Sequence, residues 1–266
     1  MRVERRAVVV TGASAGIGRA TARLLACRGA RVLAVARSGR ALAELAAEQP
    51  GVVPLVADLA TGAGRAAVAA TELGATADAL VNNAGVGWQG RVEEMGEDDV
   101  RRLVEVNLVA AVDLTRRLLP GMLQRRCGHV VNVASVSSWV ATPPLVVYAA
   151  TKFGLEGFSD GLRRELAGRG VTVGTVNPGP VRTAFGSRMR AGDRPSEDLP
   201  DSPWYGVPPE WVARAVARSI RLGGLPGYTA IAVPRAVGLA RLGALPGARL
   251  VVDAGWRAVR GLLPSK

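Results

Sequence analysis

The chain has 266 residues, of which 48% are hydrophobic, and a formal net charge of +12. That length suits one large α/β domain, and the composition excludes extended disorder. The charge comes from arginines spread singly or in pairs; with no basic block, aromatic ladder or zinc spacing, it argues against nucleic-acid binding and against a metal site.

In chain order, strands are expected over residues 7–11, 31–36, 52–56, 79–82, 129–134, 171–176 and 229–233. Helices are expected between them at 16–28, 38–48, 61–73, 97–126, 146–168 and 209–222. The strands are near-continuous apolar runs, such as Val130-Val131-Asn132-Val133-Ala134. That pattern marks strands buried on both faces, hence a parallel sheet between helix layers. The expected fold is α/β, doubly wound and Rossmann-type, with a seven-stranded, mainly parallel sheet between two helix layers. A single domain over 1–266 carries a lid-like loop at about 184–208, rich in Pro, Asp and Ser, and a helical tail at about 235–266. The tail is expected to pack on its own domain in preference to a membrane surface.

No apolar leader stretch follows Met1, because the first strand begins at Ala7. Residues 130–151 carry no charge, but Asn132, Ser135 and the Pro143-Pro144 pair argue against a membrane span. Cys27 and Cys127 are read as reduced thiols of a cytoplasmic protein.

Three motifs carry chemistry. Thr11-Gly12-Ala13-Ser14-Ala15-Gly16-Ile17-Gly18 lies between the first strand and the first helix. Gly12 permits a tight turn, Gly16 lets backbone approach a phosphate and Gly18 lets helix and sheet pack closely. The helix N-terminus behind them faces a pyrophosphate with free N–H groups. At the end of the second strand, where an NAD site usually holds a carboxylate, stands Arg37, and no Asp or Glu occurs between Glu4 and Glu44. A guanidinium there pairs with a 2′-phosphate, which favours NADP over NAD; Ala15 supplies no second basic group. The third motif is Tyr148-Ala149-Ala150-Thr151-Lys152, whose lysine is the only one before Lys266. On a helix the two side chains lie one turn apart. A compact ammonium beside a phenol favours phenolate and is expected to move Tyr148 toward neutral pH.

With these motifs in one order, the chain resembles the short-chain dehydrogenase/reductase family, in its single-domain branch of about 250 residues, over roughly residues 5–235. Further marks are Asp58-Leu59 after the third strand, Asn82-Asn83-Ala84-Gly85 after the fourth, Asn107, Ser135, and Pro178-Gly179-Pro180-Val181-Arg182-Thr183 after the sixth. The resemblance implies a catalytic tetrad of Asn107, Ser135, Tyr148 and Lys152. It implies cofactor contacts from Gly12, Ser14, Ala15, Gly16, Ile17, Gly18, Arg37, Asp58, Leu59, Asn83, Ala84, Gly85, Tyr148, Lys152, Pro178, Gly179, Val181 and Thr183. Asp58 would meet the adenine, and residues 178–183 the nicotinamide amide. Asn107 would hold a water that links Lys152 to solvent.

The implied activity is an NADP(H)-dependent oxidoreductase that interconverts a carbonyl and an alcohol, with Tyr148 as general acid/base. The alternative is a non-catalytic cofactor-sensing or scaffold protein on the same fold. Trp88, Trp139, Val140, Leu145, Phe185, Met189, Trp204 and Tyr205 are expected near the cleft mouth, which points to an apolar substrate such as a ketone, steroid or lipid intermediate. The resemblance also implies a homodimer or homotetramer, formed through the helix bearing Tyr148 and the one before it. His129, the only histidine, is expected to be structural.

Overall fold

The computed structural model describes residues 3–190, 206–222, 230–234, 236 and 238. Seven strands form one sheet: β1 (Ala7–Thr11), β2 (Arg31–Ala36), β3 (Val52–Val56), β4 (Ala79–Asn82), β5 (Gly128–Val133), β6 (Val171–Pro178) and β7 (Ala230–Val233). Their spatial order is β3-β2-β1-β4-β5-β6-β7, and every pairing is parallel. The chain winds outward from β1 in one direction and from β4 in the other. The C-terminal ends of β1 and β4 therefore open a crevice between diverging connections, where doubly wound sheets bind ligands.

The helices are α1 (Gly16–Cys27), α2 (Gly39–Glu48), α3 (Gly62–Ala70), α4 (Glu72–Ala75), α5 (Glu97–Val104), α6 (Ala110–Gln124), α7 (Val146–Glu165) and α8 (Pro209–Leu222). Alternation along β1 sorts them into two layers. Val8 and Val10 pack with Leu25 of α1, Leu42 and Leu45 of α2 and Val216 of α8. Val9 packs on the other face with Val68 of α3, Leu114 and Met122 of α6 and Leu162 of α7.

Three expectations need correction. The segment expected as one helix over 61–73 is two, because the Thr71 side chain accepts the Gly74 N–H and starts α4 afresh. The helix expected over 97–126 carries a π-helical turn at Glu105–Val109 between α5 and α6. β3 is not buried on both faces: it is an edge strand with Val53 and Val56 exposed and Pro54 within it. The tail, residues 239–266, and Trp204 and Tyr205 lie outside the described residues. Among the described residues no helix is long and apolar enough to cross a membrane.

Candidate active site

The crevice at the strand ends is a cleft of about 700 Å³. Its inner floor is the glycine loop. Gly12 has a φ of 67° and Gly16 a φ of 52°, the left-handed region that glycine adopts without strain. A Cβ on Gly12 would stand 2.9 Å from Ala84 Cα, and one on Gly18 would stand 2.1 Å from the Gly12 carbonyl oxygen. These glycines let β1, α1 and the β4 loop close on one another. Asn83 ties the same joint, donating from Nδ2 to the Thr11 carbonyl at 2.9 Å, while Thr11 Oγ1 accepts the N–H groups of Asn83 and Ala84.

α2, α3 and α4 each open on a Ser or Thr side-chain cap, but α1 opens on Ala15 with none. Its first N–H groups face the cleft with no side chain competing for them, the arrangement that receives a phosphate. The cradle that glycine alone permits, this open helix end and the size of the cleft all fit a dinucleotide.

Arg37 is exposed, lines the cleft beyond β2 and has no ion-pair partner among the described residues. Asp58, one of whose oxygens takes the Ala60 N–H at 3.1 Å, is the only carboxylate among the described residues of the cleft wall.

The opposite wall carries Ser135, Tyr148 and Lys152, all buried. Ser135 ends the β5 connection, and its Oγ accepts the Ser137 N–H at 3.1 Å. Its side chain also favours the charged form of the Tyr148 phenol. α7 places Lys152 one turn past Tyr148; the ammonium donates to the Val133 carbonyl at 3.1 Å and lies 5.7 Å from the centroid of the Tyr148 ring. The expected lowering of the phenol is absent here. Burial pushes Tyr148 up to about 12, against a smaller lowering by Ser135, and burial pushes Lys152 down to about 8. Desolvation of two adjacent groups outweighs the attraction between their charged forms.

Asn107 sits behind this wall, not in it. The π-helical turn aims its side chain at the β4 loop, where Oδ1 accepts the Val86 N–H at 2.8 Å and Nδ2 donates to Val86 O at 3.0 Å and Thr151 Oγ1 at 3.2 Å. It thus fastens the loop after β4 to α7 next to Tyr148. Gly18 likewise supports the floor without lining it. All other expected site residues line the cleft: Gly12, Ser14, Ala15, Gly16, Ile17, Arg37, Asp58, Leu59, Asn83, Ala84, Gly85, Ser135, Tyr148, Lys152, Pro178, Gly179, Val181 and Thr183.

Residues 184–190, the first part of the expected lid, cross toward the β4 loop. Arg190 pairs with residues 87 and 89 through backbone hydrogen bonds of 3.2 and 2.9 Å, and with Asp99 of α5 through its guanidinium. Phe185 and Met189 line the cleft with Leu145, and the Phe185 ring lies 6.0 Å from that of Tyr148. Trp88, Trp139 and Val140 do not line the cleft: the two tryptophans are buried, and Trp88 packs behind the cleft wall with Leu103 and Tyr148. Sequence reasoning missed Arg102 and Val106, which line the cleft from α5 and the π-helical turn, and Arg188 on the crossing segment. The spacing of Arg102 and Val106, one turn apart, is the only signal that could have found the first two.

His129 is structural, as expected. It is buried, with Nδ1 2.7 Å from Thr172 Oγ1 and Nε2 3.0 Å from Ser219 Oγ, and burial holds it down at about 4.

A doubly wound sheet, a glycine cradle at its switch point and a Ser-Tyr-Lys wall across the cleft define a dinucleotide-binding oxidoreductase. The chain belongs to the short chain dehydrogenase family, whose profile matches residues 6–194. It is 36% identical over 200 residues to the 3-oxoacyl-[acyl-carrier-protein] reductase of Salmonella typhimurium, covering 72% of this chain and 82% of that one. It is also 36% identical over 194 residues to the bovine dehydrogenase/reductase SDR family member 7B, covering 68% of this chain and 59% of the bovine protein. Among solved structures, a short-chain dehydrogenase from Streptomyces avermitilis superposes with a TM-score of 0.81 at 31% identity, covering 98% of this chain and 99% of that one. One from Sphingobium yanoikuyae, in complex with NADPH, gives 0.75 at 29% identity, with coverages of 94% and 95%.

Proposed function

We propose that the protein is an NADP(H)-dependent oxidoreductase that interconverts a carbonyl and an alcohol on an apolar small molecule. The observation that carries this reading is the shared wall of the cleft, where Ser135 and Tyr148 line one face beside the Lys152 ammonium. A bound nicotinamide supplies the hydride. Ser135 positions the substrate oxygen beside the phenol, and Tyr148 transfers a proton to it. Tyr148 is protonated throughout the physiological range, which suits the reductive direction. Alcohol oxidation needs the phenolate, and reaching it at pH 7 requires lowering the phenol from about 12. The Lys152 ammonium contributes to that stabilisation; after reduction Lys152 returns a proton to the Tyr148 phenolate and regains one from solvent in the cleft.

NADP is favoured over NAD by Arg37, which has no ion-pair partner among the described residues and stands where the end of β2 carries no carboxylate; the Sphingobium relative holds NADPH. Leu145, Phe185 and Met189 in the cleft support an apolar substrate. The exposed apolar residues Val146 and Phe153 on α7 support a homodimer or homotetramer through that helix, and the two unpaired cysteines support a cytoplasmic setting.

The test is Tyr148→Phe, assayed for NADPH binding and for NADPH oxidation with aryl ketones and acetoacetyl-CoA as probes. Binding unchanged with turnover lowered by about 10²–10⁴ supports the assignment; a fully active variant sinks it.

A further inference from the structure

Behind Ser135 the core turns polar. Glu156 stands one turn past Lys152 on α7 and is 8% exposed. Thr175 Oγ1 donates to its Oε1 at 3.4 Å. Asn177, fully buried at the end of β6, takes the amide orientation in which donors meet acceptors: Nδ2 donates to Glu156 Oε2 at 3.3 Å, to the Ser135 carbonyl at 3.2 Å and to Ser138 Oγ at 2.9 Å. Ser138 Oγ in turn donates to the same Ser135 carbonyl at 2.5 Å.

No step of the proposed reaction uses Glu156, and a buried carboxylate is costly where an apolar side chain would fill the space. We propose that Glu156 is a positioning residue that acts on Ser135 through Asn177. A carboxylate only accepts hydrogen bonds, whereas an amide presents one donor side and one acceptor side. Glu156 therefore fixes which side of Asn177 faces the Ser135 carbonyl. The reversed amide would set the Asn177 oxygen 3.2 Å from the Ser135 carbonyl and 3.3 Å from Glu156 Oε2, acceptor against acceptor. With its N–H groups turned inward, Asn177 and Ser138 together clamp the Ser135 peptide. The Ser135 hydroxyl is then held where it meets the Ser137 N–H in the cleft wall that also carries Tyr148. Glutamine at position 156 keeps the shape but leaves only one acceptor, without charge, to hold the Asn177 N–H, so the amide is held less firmly.

This inference rests on the reading of Ser135 as the group that positions the substrate. The experiment is a double-mutant cycle of Glu156→Gln with Ser135→Ala in the full chain, followed by NADPH oxidation with acetoacetyl-CoA or an aryl ketone. Glu156→Gln alone is expected to lower kcat about tenfold at unchanged NADPH affinity, and less than about twofold once Ser135 is alanine, because residues acting through one another are not additive. Additive losses, or wild-type kcat in Glu156→Gln, overturn the proposal. If Glu156→Gln does not fold, Asn177→Ala takes its place in the cycle with the same expectation. Amide hydrogen exchange over residues 135–138 decides the matter where activity falls below detection. Faster exchange there, with β1 and β2 unchanged, is expected in Glu156→Gln; unchanged exchange overturns the proposal. A wild-type chain that reduces no carbonyl would sink the proposed function and leave the exchange result to stand by itself.

Discussion

The Lys152 ammonium lies 5.7 Å from the centroid of the Tyr148 ring and gives its hydrogen bond to the Val133 carbonyl, not to the phenol. Burial drives each group toward its neutral form, Lys152 down to about 8 and Tyr148 up to about 12. Below pH 8 Lys152 is charged and can donate to a bound cofactor; above it the charge is lost, while Tyr148 does not change until far higher pH. NADPH affinity is therefore expected to be flat from pH 6 to about 7.5. It should weaken about tenfold by pH 9.5, the size of one lost hydrogen bond to a charged donor. Fluorescence titration across that range measures it. A flat profile in the wild type, or the same decline in Lys152→Met, would contradict the assignment.

The glycine cradle gives a steric prediction. A Cβ on Gly18 meets the Gly12 carbonyl oxygen at 2.1 Å and Asn83 Nδ2 at 2.6 Å, and the first of these is backbone that cannot rotate aside. Gly18→Ala must push α1 away from β1 and the β4 loop, at a cost of about 1–3 kcal/mol as in other overpacked sites. The expected outcome is a lower unfolding midpoint in urea together with weaker NADPH binding. Wild-type values of both would show that the joint is looser than this geometry.

How much of this was legible in the sequence depended on whether the signal was local. β1, β2, β3 and β4 were bounded correctly because each is an apolar run that ends at a polar or glycine turn. The glycine loop and the Tyr148/Lys152 pair were legible because backbone freedom and one-turn spacing are properties of neighbouring residues. The π-helical turn that aims Asn107 was not, since one extra residue in a helix leaves the apolar period almost intact. Trp88 and Trp139 were misplaced because hydrophobicity alone does not say whether a ring faces a cleft or the core behind it. Glu156 carried no signal in the sequence, because its partners, Thr175 and Asn177, lie on a strand about twenty residues further on.

Arg37 tests the cofactor preference. It is exposed at the cleft edge, unpaired among the described residues, and its only acidic neighbour in the cleft wall is Asp58. If it reads the 2′-phosphate, Arg37→Ser removes a charge-assisted bond worth about 1.5–3 kcal/mol, or roughly 10–100-fold in affinity. NADPH should weaken by that factor while NADH, which has no phosphate there, changes little. Parallel titration with the two cofactors decides; equal weakening of both would assign Arg37 to some other part of the dinucleotide.

His129 makes the fold acid-sensitive. It is 2% exposed between Thr172 and Ser219, and burial lowers its pKa from 6.5 to about 4. Between those values the unfolded chain binds a proton that the native state refuses, so stability is complete above pH 6.5 and declines as pH falls toward 4. The full difference is ~3 kcal/mol by linkage, a large share of the stability of a typical domain. Urea unfolding of the wild type should therefore show its midpoint falling steadily from pH 6.5 to 4.5, above the range where most carboxylates titrate. His129→Gln keeps a side chain able to donate to one hydroxyl and accept from the other, but it does not titrate. That variant should start less stable at pH 7 and lose much less on acidification. An equal acid slope in the two proteins would show that His129 protonates without unfolding the β5, β6 and α8 junction, and that its burial does not set the acid limit.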